Sequence, residues 1–263
     1  MSILEALILG LIQGLTEFIP ISSSGHLVIA QYFMSGASEH LFLEWINLGT
    51  VLALVVYFWP RIMSILRDVF LDRNYRLAMN IVIAMVPAGL VGFFMADFIE
   101  THAFFGSVWT VVFTLIIVGV LLIVVDKLPH LGNVKLPDLP AKRALTIGLV
   151  QVLALIPGTS RSGSTILAGR VMGLKAADAA EFSFLVSIPI MFGVIAKLLI
   201  KDGDRAYLLD NLTPLLVSNV AAFISGLLAV GFLMRYLEKH SLSVFGWYRV
   251  VLALVLVAVL LLQ

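Results

Sequence analysis

A series of long apolar runs with almost no charge is the feature that most constrains the fold of this chain. A helix that crosses a bilayer needs roughly 17 to 25 mostly apolar residues, and stretches such as Val108–Val125 and Leu212–Met234 meet that requirement. Of the 263 residues, 61% are hydrophobic and 13% are charged, whereas roughly 25% of the residues in a soluble domain are charged. The sequence therefore predicts an all-α polytopic membrane protein that forms a single domain over residues 1–263.

Six of the apolar stretches are predicted to cross the membrane completely. They are Leu43–Trp59, Asn80–Ala96, Val108–Val125, Phe182–Ile200, Leu212–Met234 and Val244–Leu262. The first ten residues lack the basic segment of a secretory signal, so we do not expect cleavage there.

Two further apolar stretches, Ile3–Met34 and Ala144–Met172, are interrupted by polar residues. The first contains Pro20–His26 and the second contains Pro157–Thr165, and both interruptions are rich in serine and glycine. The flanks are too short to cross a bilayer comfortably, and irregular backbone at membrane depth needs protein or a water-filled cavity around it. We therefore predict two re-entrant helical hairpins whose tips lie inside the membrane.

The two halves of the chain, about residues 1–128 and 142–263, resemble each other. The run Gly10–Gln13 matches Gly148–Gln151, and the matching tip residues are Pro20, Ser23 and Gly25 with Pro157, Ser160 and Gly163. Each half is one hairpin followed by three crossings, and because three is odd the second half must be inserted upside down. Such an inverted repeat brings paired broken helices together near the membrane midplane.

The basic residues of the predicted loops indicate the orientation. If both termini lie outside, the inner loops carry 11 lysines and arginines and the outer loops carry only Lys201 and Arg205. This distribution agrees with the positive-inside rule, so the first hairpin is expected to enter from the outer face and the second from the cytoplasm.

The chain has no cysteine and no basic stripe with interleaved aromatic residues. We therefore expect neither a disulfide nor a nucleic-acid partner.

Polar residues concentrate at the two hairpin tips, where they are costly and by default mark a function. Helix N-termini with serine caps and free amide groups bind anions, and a guanidinium grips phosphate with two parallel hydrogen bonds. The predicted phosphate-binding residues are Ser22, Ser24, Gly25, Ser160, Arg161, Ser162, Gly163 and Thr165.

Gln13 and Glu17 are four residues apart, which places them on one helix face. A carboxylate repels a neighbouring phosphate unless a hard cation lies between them, so these two residues are predicted to hold a divalent cation, Mg²⁺ or Ca²⁺. His26 can exchange protons near neutral pH. Single features of this kind are often only turns or headgroup contacts, but two symmetric tips with complementary charge favour a function.

These motifs resemble the bacterial undecaprenyl-diphosphate phosphatase family, also called bacitracin-resistance proteins. The family's first motif, Glu/Gln-x-x-x-Glu followed by Pro-x-Ser-Ser-Ser/Thr-Gly-His, is similar to Gln13–His26. Its second motif, Pro-Gly-x-Ser-Arg-Ser-Gly, is similar to Pro157–Gly163, and Ala180–Leu185 also resembles the family. The similarity extends over essentially the whole chain.

The resemblance implies hydrolysis of undecaprenyl diphosphate to undecaprenyl phosphate and inorganic phosphate, which recycles the lipid carrier for peptidoglycan synthesis. Glu17 would match the carboxylate that supports a metal or a nucleophile, and Arg161 the phosphate clamp. Ser23 and His26 would match the nucleophile and the proton-transfer residue, although a water in place of Ser23 is left open. The implied location is the bacterial inner membrane, with the site open to the outer, periplasmic side. A homodimer is also left open.

The alternative function is a transporter or flippase for a lipid or an anion. Inverted repeats with broken helices are also a transporter architecture, and a fold does not dictate a function. Such a protein would use the same arginine and helix N-termini for binding. The combination of Ser23, His26 and Glu17 favours the enzyme, because binding alone needs neither a nucleophile nor a proton-transfer group.

Overall fold

The computed structural model of the chain describes residues 1–32, 34, 40–128 and 133–261, and helices joined by short connections make up this part. In chain order the described helices are α1 (Ile3–Phe18), α2 (Ser23–Tyr32), α3 (His40–Tyr57), α4 (Trp59–Phe70), α5 (Arg76–Phe94), α6 (Ala96–Thr101), α7 (Ala103–Gly106), α8 (Val108–Val125), α9 (Ala141–Gln151), α10 (Arg161–Val171), α11 (Ala176–Ile200), α12 (Asp202–Asp210), α13 (Leu212–Leu237) and α14 (Ser243–Leu261). Short 3-10 turns lie at Leu136–Asp138 and Val152–Leu155.

By length and composition, five of the described helices can cross a membrane: α5, α8, α11, α13 and α14. They coincide with five of the six predicted crossings to within six residues at each end, and Val108–Val125 has the predicted bounds. The last residue of the sixth prediction, Leu262, lies outside the described residues, as does residue 33 of the first hairpin. The all-α polytopic membrane fold is thus confirmed.

The first predicted crossing, Leu43–Trp59, corresponds to α3, which stops at Tyr57, and α4 leaves α3 at an angle of 68°. By length and composition this bent pair of helices can form a sixth span. Pro60 lies in the first turn of α4. A proline lacks the amide N–H of the helical ladder and its ring collides with the carbonyl four residues earlier, which favours a break between α3 and α4, although α5 and α11 continue through Pro87 and Pro189.

The first interrupted stretch forms a hairpin whose tip lies about halfway along the neighbouring helix, α13. Helix α1 packs along α13, where Gly10 and Gly14 lie so close to the α13 backbone that a Cβ at either position would overlap it. The end of α1, Phe18, contacts Gly226, which is near the middle of α13. Because α2 then runs back along α1, the hairpin tip lies inside the helix bundle.

The second interrupted stretch has the same arrangement against a different helix. Helix α9 packs along α5, where Gly148 meets the backbone of Ala84, halfway along α5. The chain then passes Leu155 and the loop before α10, which begins at Arg161. The opposite insertion of the two halves stays a prediction.

Helices α8 and α14 form a third close pair beside the two hairpins. Gly119 of α8 and Gly246 of α14 face each other, and a Cβ on either residue would press against the backbone of the other helix. Small residues at such a position let two membrane helices approach closely. This contact brings the side chains of α14 within reach of the hairpin tips.

Candidate active site

Each hairpin enters its second helix through a serine in the left-handed region of backbone conformation. Ser22 has φ 74° and Ser160 has φ 72°. The Oγ of Ser22 accepts the amide N–H of Gly25 at 3.4 Å, and the Oγ of Ser160 accepts that of Gly163 at 3.1 Å. The predicted match between Ser23 and Ser160 was therefore wrong by one residue. Ser22 caps α2 and Ser160 caps α10, because each is the non-helical residue that directly precedes its helix.

The residues that follow the two caps, Ser23 and Arg161, both bind the carboxylate of Glu17. The hydroxyl of Ser23 donates to Oε2 at 2.6 Å, and Nη2 of Arg161 donates to Oε1 at 2.7 Å. The Nε2 of Gln13 also donates to Oε2, at 3.2 Å. The side chains of Glu17 and Arg161 are only 13% and 15% exposed. This arrangement places a carboxylate where it can take the Ser23 proton while a guanidinium neutralises its charge.

The two tips contact each other directly. The amide N–H of Gly158 donates to the Ser24 hydroxyl at 3.2 Å. In the other direction, the Ser162 hydroxyl donates to the Glu17 carbonyl oxygen at 3.2 Å. Residues that are about 140 positions apart in sequence are therefore parts of one polar cluster.

A cavity of about 570 Å³ opens beside this cluster, within the range of about 300–1,000 Å³ that is typical of small-molecule sites. One part of its wall is polar and includes the predicted site residues Gln13, Glu17, Ser23, Ser24, Ser160 and Arg161, together with Glu44 and Asn47. Another part is apolar and is formed by Leu27, Val28, Leu43, Ile99, Phe105, Val108, Val111, Ala154 and Leu155. The cavity thus offers one surface to a charged group and another to a hydrocarbon chain.

The other predicted phosphate-binding residues lie at the tips but do not line this cavity. They are Ser22, Gly25, Ser162, Gly163 and Thr165. Their polar groups bond within the protein: the Thr165 hydroxyl, for example, is 2.5 Å from that of Ser183. In the structure they shape the two tips, and contact with phosphate stays a prediction for them.

His26 is also not on the cavity wall. Its Nδ1 is 2.7 Å from the carbonyl oxygen of Ser22 and its Nε2 is 2.7 Å from the hydroxyl of Tyr248. A carbonyl only accepts, so Nδ1 carries the proton and, in the neutral ring, Nε2 accepts from Tyr248. Both ring nitrogens of His26 thus have partners other than Ser23, and its catalytic role stays a prediction.

Two polar atoms of the cluster are buried and have no hydrogen-bond partner in the described part of the chain. They are Oε1 of Gln13 and Nη1 of Arg161. The first is a neutral oxygen of the type that hard cations accept, and the second is a charge-assisted donor of the type that binds phosphate. Both atoms belong to residues that line the cavity.

The described residues contain no group of three or more His, Cys, Asp or Glu side chains that could hold a metal ion alone. The cavity wall nevertheless offers the carboxylates of Glu17 and Glu44 and the amide oxygen of Gln13. Mg²⁺ in phosphate chemistry commonly uses one or two carboxylates, several waters and the phosphate itself. The donor set fits a cation that is bound together with a phosphorylated ligand.

Sequence reasoning missed Arg249, which is fully buried in α14. The available signal was an arginine inside an apolar crossing, since a charge at that depth is costly and marks a function by default. Two further glutamates differ in their surroundings, because Glu44 lines the cavity and Glu181 forms an ion pair with Arg61 at 2.6 Å.

The fold and the site together define a class: a polytopic helical membrane protein in which a carboxylate, a hydroxyl and a guanidinium from two broken helices face one cavity. The chain matches the family model described as bacitracin resistance protein BacA over residues 6–255. It belongs to that family.

Curated relatives match over nearly their whole length. A protein of Aquifex aeolicus named undecaprenyl-diphosphatase is 37% identical over 262 residues, which cover 97% of each chain. The undecaprenyl-diphosphatase 1 of Mesorhizobium japonicum is 40% identical, over 97% of this chain and 95% of its own. The undecaprenyl-diphosphatase of Enterococcus faecalis is 36% identical, over 98% of this chain and 96% of its own.

Proposed function

We propose that the chain is a membrane phosphatase that hydrolyses undecaprenyl diphosphate to undecaprenyl phosphate and inorganic phosphate, and so recycles the lipid carrier for cell-wall synthesis. The observation that supports this most strongly is the short hydrogen bond, 2.6 Å, from the Ser23 hydroxyl to the Glu17 carboxylate, beside Arg161 on one cavity wall. The names of the relatives point to the same reaction.

The reaction begins with attack of the Ser23 oxygen on the terminal phosphorus, as the Ser23 proton passes to Glu17. The bond between that phosphorus and the bridging oxygen breaks, and undecaprenyl phosphate leaves with the electron pair of that bond. A phosphate leaving group is stable as an anion, so it requires no proton donor at this step. Glu17 next releases the proton from Ser23 to solvent and is a base again. Water then attacks the phosphoserine, gives a proton to Glu17 and displaces the Ser23 oxygen, which takes that proton back from Glu17, so inorganic phosphate is released and the Ser23 hydroxyl is restored.

Arg161 serves two groups at once in this mechanism. Its Nη2 holds Glu17, while Nη1, which has no partner among the described residues, donates to an oxygen of the terminal phosphate. Fixed donors that face the charge developing on a phosphoryl group in a site with little water are a large source of rate enhancement. The guanidinium therefore stabilises the transition state and keeps the base in place.

A divalent cation, Mg²⁺ or Ca²⁺, is part of the proposal. The diphosphate brings several negative charges to a cavity wall that already carries Glu17 and Glu44, and one guanidinium does not balance them. Gln13 and Glu17 would hold the ion through oxygen atoms, and the ion would supply positive charge to the diphosphate oxygens. Within the chain, Gln13 also orients Glu17 through its Nε2 donor.

The cavity also suggests how the lipid lies and which face it reaches. The diphosphate would occupy the Glu17 side, and the prenyl chain would leave along apolar residues such as Leu27, Phe105 and Val108. Because Ile99, Phe105 and Ser107 of the α5–α8 connection form part of the wall, we infer that the site opens where this connection lies. The distribution of basic residues supports a position of that connection on the outer, periplasmic side of the bacterial inner membrane.

The proposal is tested by measuring phosphate release from undecaprenyl diphosphate by the purified protein in detergent. We expect turnover with Mg²⁺ or Ca²⁺, loss of turnover in excess chelator, and recovery when the cation is restored. Glu17→Gln should lower turnover by about 10²–10⁴-fold, whereas Glu181→Gln serves as the matched control, because Glu181 pairs with Arg61 away from the cavity. Wild-type protein that binds the lipid and releases no phosphate would contradict the enzyme, and full activity in excess chelator would contradict the cation.

A further inference from the structure

The guanidinium of Arg249 binds five backbone carbonyl oxygens from three segments of the chain. Its Nη1 donates to Pro20 in the first hairpin at 3.3 Å. Its Nη2 donates to Gly158 at 2.7 Å and to Thr159 at 3.1 Å, both in the second hairpin. The remaining bonds reach α8, from Nη2 to Thr114 at 3.2 Å and from Nε to Leu115 at 3.4 Å.

The packing of α14 explains how this side chain reaches both tips. Gly246 and Gly119 let α14 and α8 approach closely, and Arg249 lies one helical turn beyond Gly246 on the same face. Its side chain is 0% exposed. The guanidinium therefore occupies the space between α8 and the two loops.

No carboxylate forms an ion pair with Arg249 among the residues that the structure describes. A buried cation without an anion is costly, and here only carbonyl dipoles compensate it. A planar guanidinium has five N–H donors in a fixed geometry, which suits several carbonyl groups at once. An apolar side chain would avoid this cost but would leave the carbonyl groups of both tips without these donors, so the guanidinium is suited to hold the two tips together.

The bonds of Arg249 lie next to the reacting groups. Pro20 is close in sequence to Ser23, and Thr159 is two residues before Arg161. Ser23 and Glu17 belong to one hairpin and Arg161 to the other, so their mutual distances depend on how the two loops are fixed. A second link on the same side is the Thr114 hydroxyl, which donates to the Pro157 carbonyl at 2.8 Å.

We propose that Arg249 is a positioning residue that fixes the two hairpin tips relative to each other, so that Ser23, Glu17 and Arg161 meet around one phosphoryl group. This proposal rests on the proposed function. Arg249 does not touch the substrate; it sets the geometry in which the other three act.

The test compares kcat, KM and melting temperature for Arg249→Met, Arg249→Lys and wild type, with phosphate release from undecaprenyl diphosphate as the assay. Arg161 stays within its own hairpin and keeps binding phosphate, so we expect KM to change by only a few-fold. A displacement of about 1 Å between reacting groups can lower a rate on the order of 10²-fold, and we expect kcat of Arg249→Met to fall by that amount below its melting temperature. Lysine has only three donors, so Arg249→Lys should recover part of kcat.

Arg235→Ala is the matched control, because Arg235 is exposed and its Nε donates to the carbonyl of Gly231 in its own helix. The kinetics of Arg235→Ala should equal those of wild type. A folded Arg249→Met protein with the wild-type kcat would overturn the proposal, and so would a loss confined to KM or to the melting temperature.

If Arg249→Met does not fold, Thr114→Val tests the proposal instead. This substitution removes a link to the same loop without leaving a buried charge unpaired. A lower kcat at unchanged KM supports positioning, and an unchanged kcat overturns it. Failure of wild type to release phosphate would instead reject the proposed function.

Discussion

At the scale of single residues, Arg161 is the side chain whose identity should matter most for the substrate. It reaches Glu17 with one terminal nitrogen and leaves the other without a partner among the described residues. We expect Arg161→Ala to abolish phosphate release without unfolding the protein. Arg161→Lys should also be poor, because a single ammonium group cannot hold Glu17 and a phosphate oxygen in the geometry of the planar fork.

The measurement for Arg161 is phosphate release together with binding of the lipid diphosphate. Arg205→Ala provides a control, because Arg205 is exposed and pairs with Asp202 three residues away. Wild-type turnover in Arg161→Ala would show that the assigned clamp is wrong.

A second prediction at this scale compares Glu17 with His26 as the base for Ser23. Glu17 touches the Ser23 hydroxyl, whereas His26 bonds to Ser22 and Tyr248. General bases contribute typically 10²–10⁴-fold, so Glu17→Gln and Ser23→Ala should each lower kcat by about that factor. His26→Ala should lower it less, and Tyr248→Phe should have an effect no larger than that of His26→Ala.

Rates from single-turnover assays of the four variants would check this order. A larger loss in His26→Ala than in Glu17→Gln would mean that His26 turns toward Ser23 during the reaction. A loss of only a few-fold in Ser23→Ala would identify water as the attacking group.

The sequence predicts the residue types of the site better than their contacts. Glu17, Ser23 and Arg161 stand out because each is polar inside an apolar stretch, which is a local property of the sequence. That the hydroxyl and the guanidinium bind the two oxygens of one carboxylate depends on how two distant hairpins meet, and no local pattern contains this. The contacts of Arg249 could not be predicted for the same reason, since its partners are carbonyl groups and every residue supplies one, although its charge inside an apolar crossing was a visible signal.

At the scale of helices, hydropathy located the crossings because it is summed over many residues. A single polar residue in an apolar run therefore does not change the prediction. The α3–α4 bend was missed because the apolar run continues past it and a proline does not by itself predict a break: α5 and α11 continue through Pro87 and Pro189. The match between the two tips was off by one because Ser22, Ser23 and Ser24 are identical in sequence. Only the backbone angle and hydrogen bonds of Ser22 distinguish it.

The close contact between α1 and α13 leads to a prediction about packing. A Cβ at Gly10 would overlap the backbone at Ser218, whereas a Cβ at Gly89, in the middle of α5, would meet no atom within 4 Å. Overpacking of this kind costs typically about 1–3 kcal/mol, so Gly10→Ala should lower the melting temperature and the activity. Gly89→Ala, the matched control, should be neutral or slightly stabilising, because alanine favours the helix.

Thermal unfolding in detergent, followed by intrinsic fluorescence, would measure both variants. Equal melting temperatures for Gly10→Ala and Gly89→Ala would contradict the close approach of the first hairpin to α13.

At the scale of the whole molecule, the orientation in the membrane is the main prediction. The native chain contains no cysteine, so single cysteines can be placed without background. The side chain of Asp202 is 89% exposed, and Asp72 is also exposed, in the connection after α4. We expect a cysteine at Asp202 to react with a membrane-impermeant thiol reagent in intact cells, and one at Asp72 to react only after lysis. The reverse pattern would place the mouth of the cavity on the cytoplasmic side.

The two serine caps have a consequence for how stable this protein can be. Residues other than glycine in the left-handed region cost of order 1–3 kcal/mol each, and glycine would adopt φ 74° or 72° at Ser22 and Ser160 without that cost. Glycine has no hydroxyl to hold the following helix, so the serines keep the tips rigid at the expense of folding free energy. Selection for thermal tolerance and selection for turnover should therefore oppose each other at these two positions. Replacing the serine that precedes either reactive helix would be the easiest way to make this enzyme more heat-resistant. The same replacement would be the least useful to the cell.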